Sequence, residues 1–253
     1  MWFSSNTYFK LPNEIQIREI KNISKLIDLP RNLFHEYKVL AVIIIIIFAG
    51  RSSFLDWNHV STGSMRPAII EGDRVVIEKS AYDFALPFTS WKIIKTGNPS
   101  RGEIVIFKKH DNSQLLIKRI VGLPGETIEI VNNKVRVNKV QANYKPLKKK
   151  LFNHLDLYTI TKNEFALEVF EDSEHPIMLQ KESEHASSSA IRANIPEGYY
   201  FVLGDNRNSS IDSRNIGLIP REQVFGRAKL VAFSLDYSNF YIPREDRFFK
   251  ALN

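Results

Sequence analysis

Hydrophobic and polar positions along the chain fall into two regimes that meet near residue 55. In the first, Val39 to Gly50 reads VLAVIIIIIFAG without a single charge. As a helix these residues would rise ~1.5 Å each and cover ~18 Å, short of a ~30 Å hydrocarbon core. Extension to Leu55 takes in Arg51, whose apolar stem lets its charge reach the headgroups from a helix end. A run of isoleucines between Lys38 and Arg51 has no polar face, so an amphipathic soluble helix does not fit. The pattern predicts a transmembrane anchor over 39–55. The long segment ahead of it argues against a cleaved signal peptide, whose charged n-region is short. That segment carries Lys10, Arg18, Lys21, Lys25, Arg31 and Lys38. By the positive-inside rule, residues 1–38 form a cytoplasmic tail and everything after the anchor lies outside. Within the tail, Ile20, Ile23 and Ile27 stand at helical spacing until Pro30 ends the pattern.

In the second regime the period changes to that of strands. Arg74–Glu78, Glu103–Phe107 and Leu115–Val121 are short β-branched runs, and Thr127–Val131 and Lys134–Asn138 alternate on either side of Asn132-Asn133. That pair suits a hairpin turn. Tyr199–Leu203 and Arg227–Phe233 follow, with turn signals at Glu71–Asp73, Arg101-Gly102 and Leu123–Gly125. The fold expected is mainly β, built as two parts of one domain, 56–138 and 195–253. Residues 139–194 are more polar, with Lys145, the Lys148–Lys150 run and three serines at 187–189. They read as an inserted cap whose strands are poorly defined.

Composition narrows the chemistry. The chain has 253 residues, 43% hydrophobic and 25% charged, enough for an ordinary globular core. With no cysteine there is no disulfide framework, no thiolate zinc site and no thiol nucleophile. The net charge of +7 is scattered, without zinc-finger spacing or an aromatic RNA-binding signature. Nucleic acid is therefore not the expected partner; the Lys145 and Lys148–Lys150 cluster reads first as a solvated loop and second as a site of attraction to an anionic membrane surface.

Three separated segments carry candidate chemistry. Ser61-Thr-Gly-Ser-Met-Arg-Pro67 offers Ser64 beside a glycine, where a substrate backbone has room to approach, though such clusters are usually only loops. In Leu115-Leu-Ile-Lys-Arg-Ile-Val121, Lys118 sits inside an apolar run. If it points inward, loss of hydration disfavours its charged form and brings its pKa down to where it can act as a base. Leu203–Gly217 is crowded with Asn, Asp, Ser and Arg straight after an apolar strand, the composition of a buried, satisfied polar network. The six histidines fall in no hydrolase signature, and neither a Gly-x-Ser-x-Gly elbow nor a His-Glu-x-x-His motif is present. Each is expected at the surface.

Taken in order, the anchor, the Ser64 box, Glu71–Lys79, Pro99–Phe107, Lys118-Arg-Ile-Val-Gly-Leu-Pro-Gly125 and Gly204-Asp-Asn-Arg-Asn-Ser-Ser-Ile-Asp-Ser-Arg214 resemble the bacterial type I signal peptidases. The likeness covers most of 39–125 and 196–234. It implies a signal-peptidase-like β fold with an inserted cap behind one N-terminal transmembrane helix. It also implies a bacterial inner-membrane, single-pass serine endopeptidase that needs no metal or organic cofactor. Its partners would be membrane phospholipids and the signal peptides of exported preproteins, cut after small residues at −1 and −3. Ser64 would be the nucleophile and Lys118 its general base. The Ser64 N–H and the Thr62 hydroxyl would form the oxyanion hole. Ser210 would hydrogen-bond Lys118, and Asp205, Asp212 and Arg214 would brace the site. Val60, Met65, Ile69 and Ile117 would wall the substrate pocket. Asn208-Ser209 and Ala68 depart from the usual residues, and Thr62 replaces serine but keeps a hydroxyl.

Two alternatives from other classes compete. One is a catalytically silent or specialised homologue that binds exported preproteins, against which Ser64, Lys118 and Ser210 all stand. The other is a self-cleaving repressor-type Ser–Lys protein, which would need a DNA-binding domain where the anchor lies.

Overall fold

The computed structural model of the chain describes residues 37–50, 52–89, 91–108, 114–181 and 190–252. The N-terminal tail, Arg51, His35, His110, His185 and the 187–189 serines lie outside the described residues. Two units divide the chain after Ala49. A helix (α1) covers 37–50, and its Ile43–Ile47 are exposed. Residues 52–53 are also helical, and Leu55, at the end of the span expected for the anchor, pairs with Glu78 as the first residue of a strand. Among the described residues no helix is long and apolar enough to cross a membrane.

The second unit is mainly β, and its strands pair antiparallel. The main sheet begins with β1 (Leu55–His59), β2 (Asp73–Glu78) and the long β16 (Val224–Asp236). It continues through β5 (Ile104–Lys108), β6 (Leu115–Gly122), β14 (Tyr199–Leu203) and β15 (Ile219–Pro220). Two short strands, β17 (Ile242–Pro243) and β18 (Lys250–Ala251), also pair with β16. Period-two alternation builds a core on each side. Ile104 and Ile106 of β5 join Val75, Ile77 and Val231 on one face, while Val105 and Phe107 join Ile120, Tyr200 and Val202 on the other. Buried on both faces, β5 reads in sequence as a continuous apolar run.

A hairpin of β3 (Asp83–Ala85) and β4 (Lys92–Lys95) stands apart. The hairpin predicted at Asn132-Asn133 joins β7 (Thr127–Val131) to β8 (Lys134–Val137), with φ of 50° and 60° at the two asparagines. Both values lie in the left-handed region that a two-residue turn of this hand requires. The polar 139–194 stretch holds better-defined strands than its composition suggests. β9 (Val140–Gln141) and β13 (Ile191–Asn194) extend the β7–β8 sheet. Between them, β10 (Asn143–Pro146), β11 (Asn163–Val169) and β12 (Glu174–Gln180) form a separate three-stranded sheet, with a short helix α2 (Leu157–Lys162) before β11. Phe152, Leu155, Phe165 and Met178 pack against Ile70 there.

One buried carboxylate holds these sheets together. Glu168 of β11 accepts hydrogen bonds from Tyr144 Oη of β10 at 2.6 Å and from Arg207 Nη1 at 2.7 Å, with Arg207 Nη2 on its second oxygen. Tyr144 Oη in turn accepts from the Val135 amide of β8 at 2.8 Å. His175 Nε2 of β12 lies 3.0 Å from Glu168 Oε2, at ion-pair distance but without the alignment of a hydrogen bond. Burial alone would raise the Glu168 carboxyl, but Arg207 and His175 hold it below its ordinary value. Since its folded pKa is depressed, its contribution is present above the ordinary value of 4.5 and is lost as pH falls below it. Glu168→Gln strands the buried Arg207 charge and should cost about 3–5 kcal/mol in denaturant melts near neutral pH. The difference from the parent should shrink as pH falls below that value, and an unchanged melt at neutral pH would refute the role.

Candidate active site

Ser64 is the middle residue of a single 3-10 turn, Gly63–Met65, between β1 and β2. So short a turn is held by its surroundings. The Asn206 amide donates to Ser64 O at 3.1 Å, Asn206 Nδ2 to Gly63 O at 3.0 Å, and the Ile69 amide to Met65 O at 3.0 Å. Gly204 makes this approach possible. A Cβ there would lie 2.5 Å from Ser64 O and 2.2 Å from Ser210 Oγ, so only glycine fits.

Lys118, on β6 opposite Val105, is 3% exposed. Its Nζ sits 2.7 Å from Ser64 Oγ and donates to Ile117 O at 2.9 Å. Burial pushes the ammonium down from 10.5 to about 8, while the Asp212 and Asp205 carboxylates pull the other way. That pull is limited because each carboxylate already faces an arginine. Asp205 takes Arg119 through two bonds of 2.8 Å, both side chains within 1% of full burial. Asp212 takes Arg214 through two bonds of 2.8 Å and accepts the Gly204 amide at 3.0 Å. Asp212 also caps the short helix α3 (Ser213–Ile216). Burial works to raise its carboxyl, and Arg214 more than offsets that. With a pKa near 8 about a tenth of the lysine is neutral at pH 7.

Ser64 and Lys118 face a cleft of about 70 Å³. Its walls include Val60, Met65, Ile69 and Ile117, the four residues expected from the sequence, together with Leu115 and His59. On that measure a single water needs about 10–15 Å³, so the cleft is a small one. Thr62 is at the rim, exposed, and its hydroxyl makes no capping bond.

Ser210 departs from expectation. Among the described residues its buried Oγ has no hydrogen-bond partner, so it does not bond Lys118; it lies close enough to Asp212 to bias that carboxyl without hydrogen-bond geometry. Two histidines expected at the surface are also elsewhere. His175 is buried beside Glu168, and His154 Nε2 lies 3.3 Å from Pro67 O, its pKa pushed down by burial to about 4. Sequence reasoning missed Arg119 and the separate roles of Gly204 and Asn206. The Gly204-Asp-Asn-Arg207 box flags the segment, but nothing in its spacing says which side chain turns toward Ser64. Selectively labelled lysine side chains followed by NMR should show Lys118 titrating near 8. A value at or above 10 would remove the argument from burial.

The family described as signal peptidase, peptidase S26, matches residues 33–233. Similar curated proteins include the signal peptidase I of Buchnera aphidicola subsp. Acyrthosiphon pisum, 28% identical and aligned over 77% of this chain and 73% of that one. The signal peptidase I of Pseudomonas fluorescens is 27% identical over 88% of this chain and 78% of its own. Signal peptidase I P of Bacillus subtilis subsp. natto is 28% identical over 81% and 91%. Matched along most of its length by that family, and with the three chemistry-bearing segments in hydrogen-bonding reach of one another, the chain belongs to the bacterial type I signal peptidases, serine endopeptidases of peptidase family S26.

Proposed function

We propose that the chain is a membrane-bound endopeptidase that removes signal peptides from exported preproteins with a Ser64–Lys118 dyad. The 2.7 Å separation of Lys118 Nζ from Ser64 Oγ, with the lysine buried, carries this reading. Neutral Lys118 takes the hydroxyl proton as Ser64 Oγ attacks the carbonyl carbon of the −1 residue. The oxygen of that carbonyl becomes an oxyanion, received by the Ser64 N–H and the Thr62 hydroxyl. Collapse breaks the peptide bond, and the Lys118 ammonium returns its proton to the leaving amine of the mature protein. Water then attacks the acyl-enzyme, giving one proton to Lys118, which passes it to Ser64 Oγ as the acyl C–O bond breaks; the signal peptide leaves as an acid that ionises to its carboxylate in solvent. Asp205 and Asp212, paired to Arg119 and Arg214, brace the base without holding it charged. Val60, Met65, Ile69 and Ile117 receive small side chains at −1 and −3.

The exposed isoleucines of α1, after a tail with six cationic residues, support a single anchor with the N-terminus in the cytoplasm. Ser64 then works at the outer face of the bacterial inner membrane, close to where a signal peptide lies in the phospholipid. Short lateral encounter replaces a search through solution.

Purified full chain in detergent provides the test. Ser64→Ala, Lys118→Ala and Lys118→Arg should each lower cleavage of an Ala-x-Ala preprotein on the order of 1,000-fold or more, since arginine cannot give up its proton. Parent kcat/KM should rise with pH through about 8 as Lys118 becomes neutral. An active Lys118→Arg would end the dyad. Substrates with alanine or glycine at −1 should be cut, and leucine or phenylalanine there should block cleavage by overfilling the cleft. In spheroplasts, added protease should digest residues beyond 56 and spare an N-terminal tag; the reverse pattern would place Ser64 in the cytoplasm and defeat the reading.

A further inference from the structure

The loop from Arg66 to Gly72 joins the Ser64 turn to β2, which starts at Asp73, and it carries no helix or strand of its own. Two arginines from the end of the chain grip it. Arg247, in the turn Glu245–Arg247, is fully buried and donates from Nε to Asp73 Oδ1 at 2.8 Å and from Nη2 to Asp73 Oδ2. The same Nη2 reaches Ala68 O at 3.1 Å. Asp73 Oδ2 also accepts the Ile70 amide at 2.9 Å. Arg244 Nη1 adds bonds of 3.1 Å to Glu71 O and 2.9 Å to Leu235 O. Both arginines lie beyond residue 233, where the family match ends.

We infer that Arg247 is a positioning residue for Ser64, clamping the 66–72 loop and the start of β2 from the C-terminal tail so that the hydroxyl stays in register with Lys118. The inference rests on Ser64 as nucleophile. The path is short and contiguous. The fork of Arg247 fixes Ala68 O and, through Asp73, the Ile70 amide; between them the Ile69 amide holds Met65 O, next to Ser64. Met65 and Ile69 also line the cleft. A merely stabilising pair explains the arrangement poorly. Arg247 Nη1 is buried with no hydrogen-bond partner among the described residues, so hydration is given up without full return. What the planar guanidinium does supply is direction, two acceptors held at a fixed angle.

The test uses full chain in detergent and an Ala-x-Ala preprotein. Arg247→Met and the nearly isosteric Asp73→Asn should lower kcat on the order of 10- to 100-fold with KM within about twofold, the mark of a misplaced reacting group. In both, the acid limb of kcat/KM, set by Lys118 near 8 in the parent, should move upward as the loosened loop lets water reach the ammonium. Arg247→Lys keeps the charge without the fork and should recover part of the loss. Phe249→Ala, at an exposed position on the same tail, should change neither quantity. Thermal melts certify that each variant is folded at the assay temperature, and Asp73→Asn carries the test if Arg247→Met does not fold. Folded variants that turn over like the parent, lose only KM or keep the acid limb in place would overturn the clamp. Ser64→Ala in the same assay separates the two readings. If it cleaves, the nucleophile assignment fails; if it is dead while folded clamp variants are intact, only the clamp fails.

Discussion

An ammonium at 3% exposure loses hydration that a single hydroxyl and one carbonyl cannot replace, and the rest of the catalytic unit is arranged so that nothing else replaces it. A carboxylate facing Lys118 without a partner of its own would restore the charge and leave a salt bridge where a base is needed. Asp205 and Asp212 are close enough to act on Lys118, yet each is turned to an arginine by two bonds of 2.8 Å. Desolvation therefore outweighs attraction. The remaining balance puts the lysine near 8, the range that the general base proposed above requires.

Buried arginine–carboxylate pairs recur throughout this unit, and each ties segments far apart in the chain. Arg119 meets Asp205, Arg207 meets Glu168, and Arg247 meets Asp73. Such pairs gain little over apolar packing, but breaking one strands a charge in the interior. They act as fixed joints. One joins strand β6 to the Gly204–Arg207 segment, one joins that segment to the three-stranded sheet, and one joins the C-terminal tail to the loop behind Ser64. Ser64 itself sits on a three-residue turn, so its position is only as good as these joints and the Asn206 bonds.

Much of the β framework was legible in the sequence, because period-two alternation and paired asparagines or glycines at turns are local signals. β7 and the Asn132-Asn133 hairpin stand where the alternation put them. The strands within 139–194 were not legible, since their partners are remote and their exposed residues dilute the pattern. The junction between the apolar helix and the first strand was not legible for a related reason. Leu55 is as hydrophobic as an anchor residue, and only its pairing with Glu78 makes it a strand. Ser210 illustrates the limit for side chains. Its position in a motif marks it as near the site, but whether its hydroxyl meets Lys118 depends on rotamer and backbone path, and here it does not.

By itself the sequence determined the kind of chemistry available: no thiol, no zinc motif, a serine after glycine, and a lysine among apolar residues. These are properties of residue type and near neighbours, which a linear pattern carries. Only the tertiary structure decided that Lys118 and Ser64, 54 positions apart, meet at 2.7 Å, and that Asn206, Gly204 and Arg247 hold the loop on which that distance depends. The pKa of a lysine depends on the water it loses and the charges it faces. Both are set by segments that the sequence separates and the fold brings together.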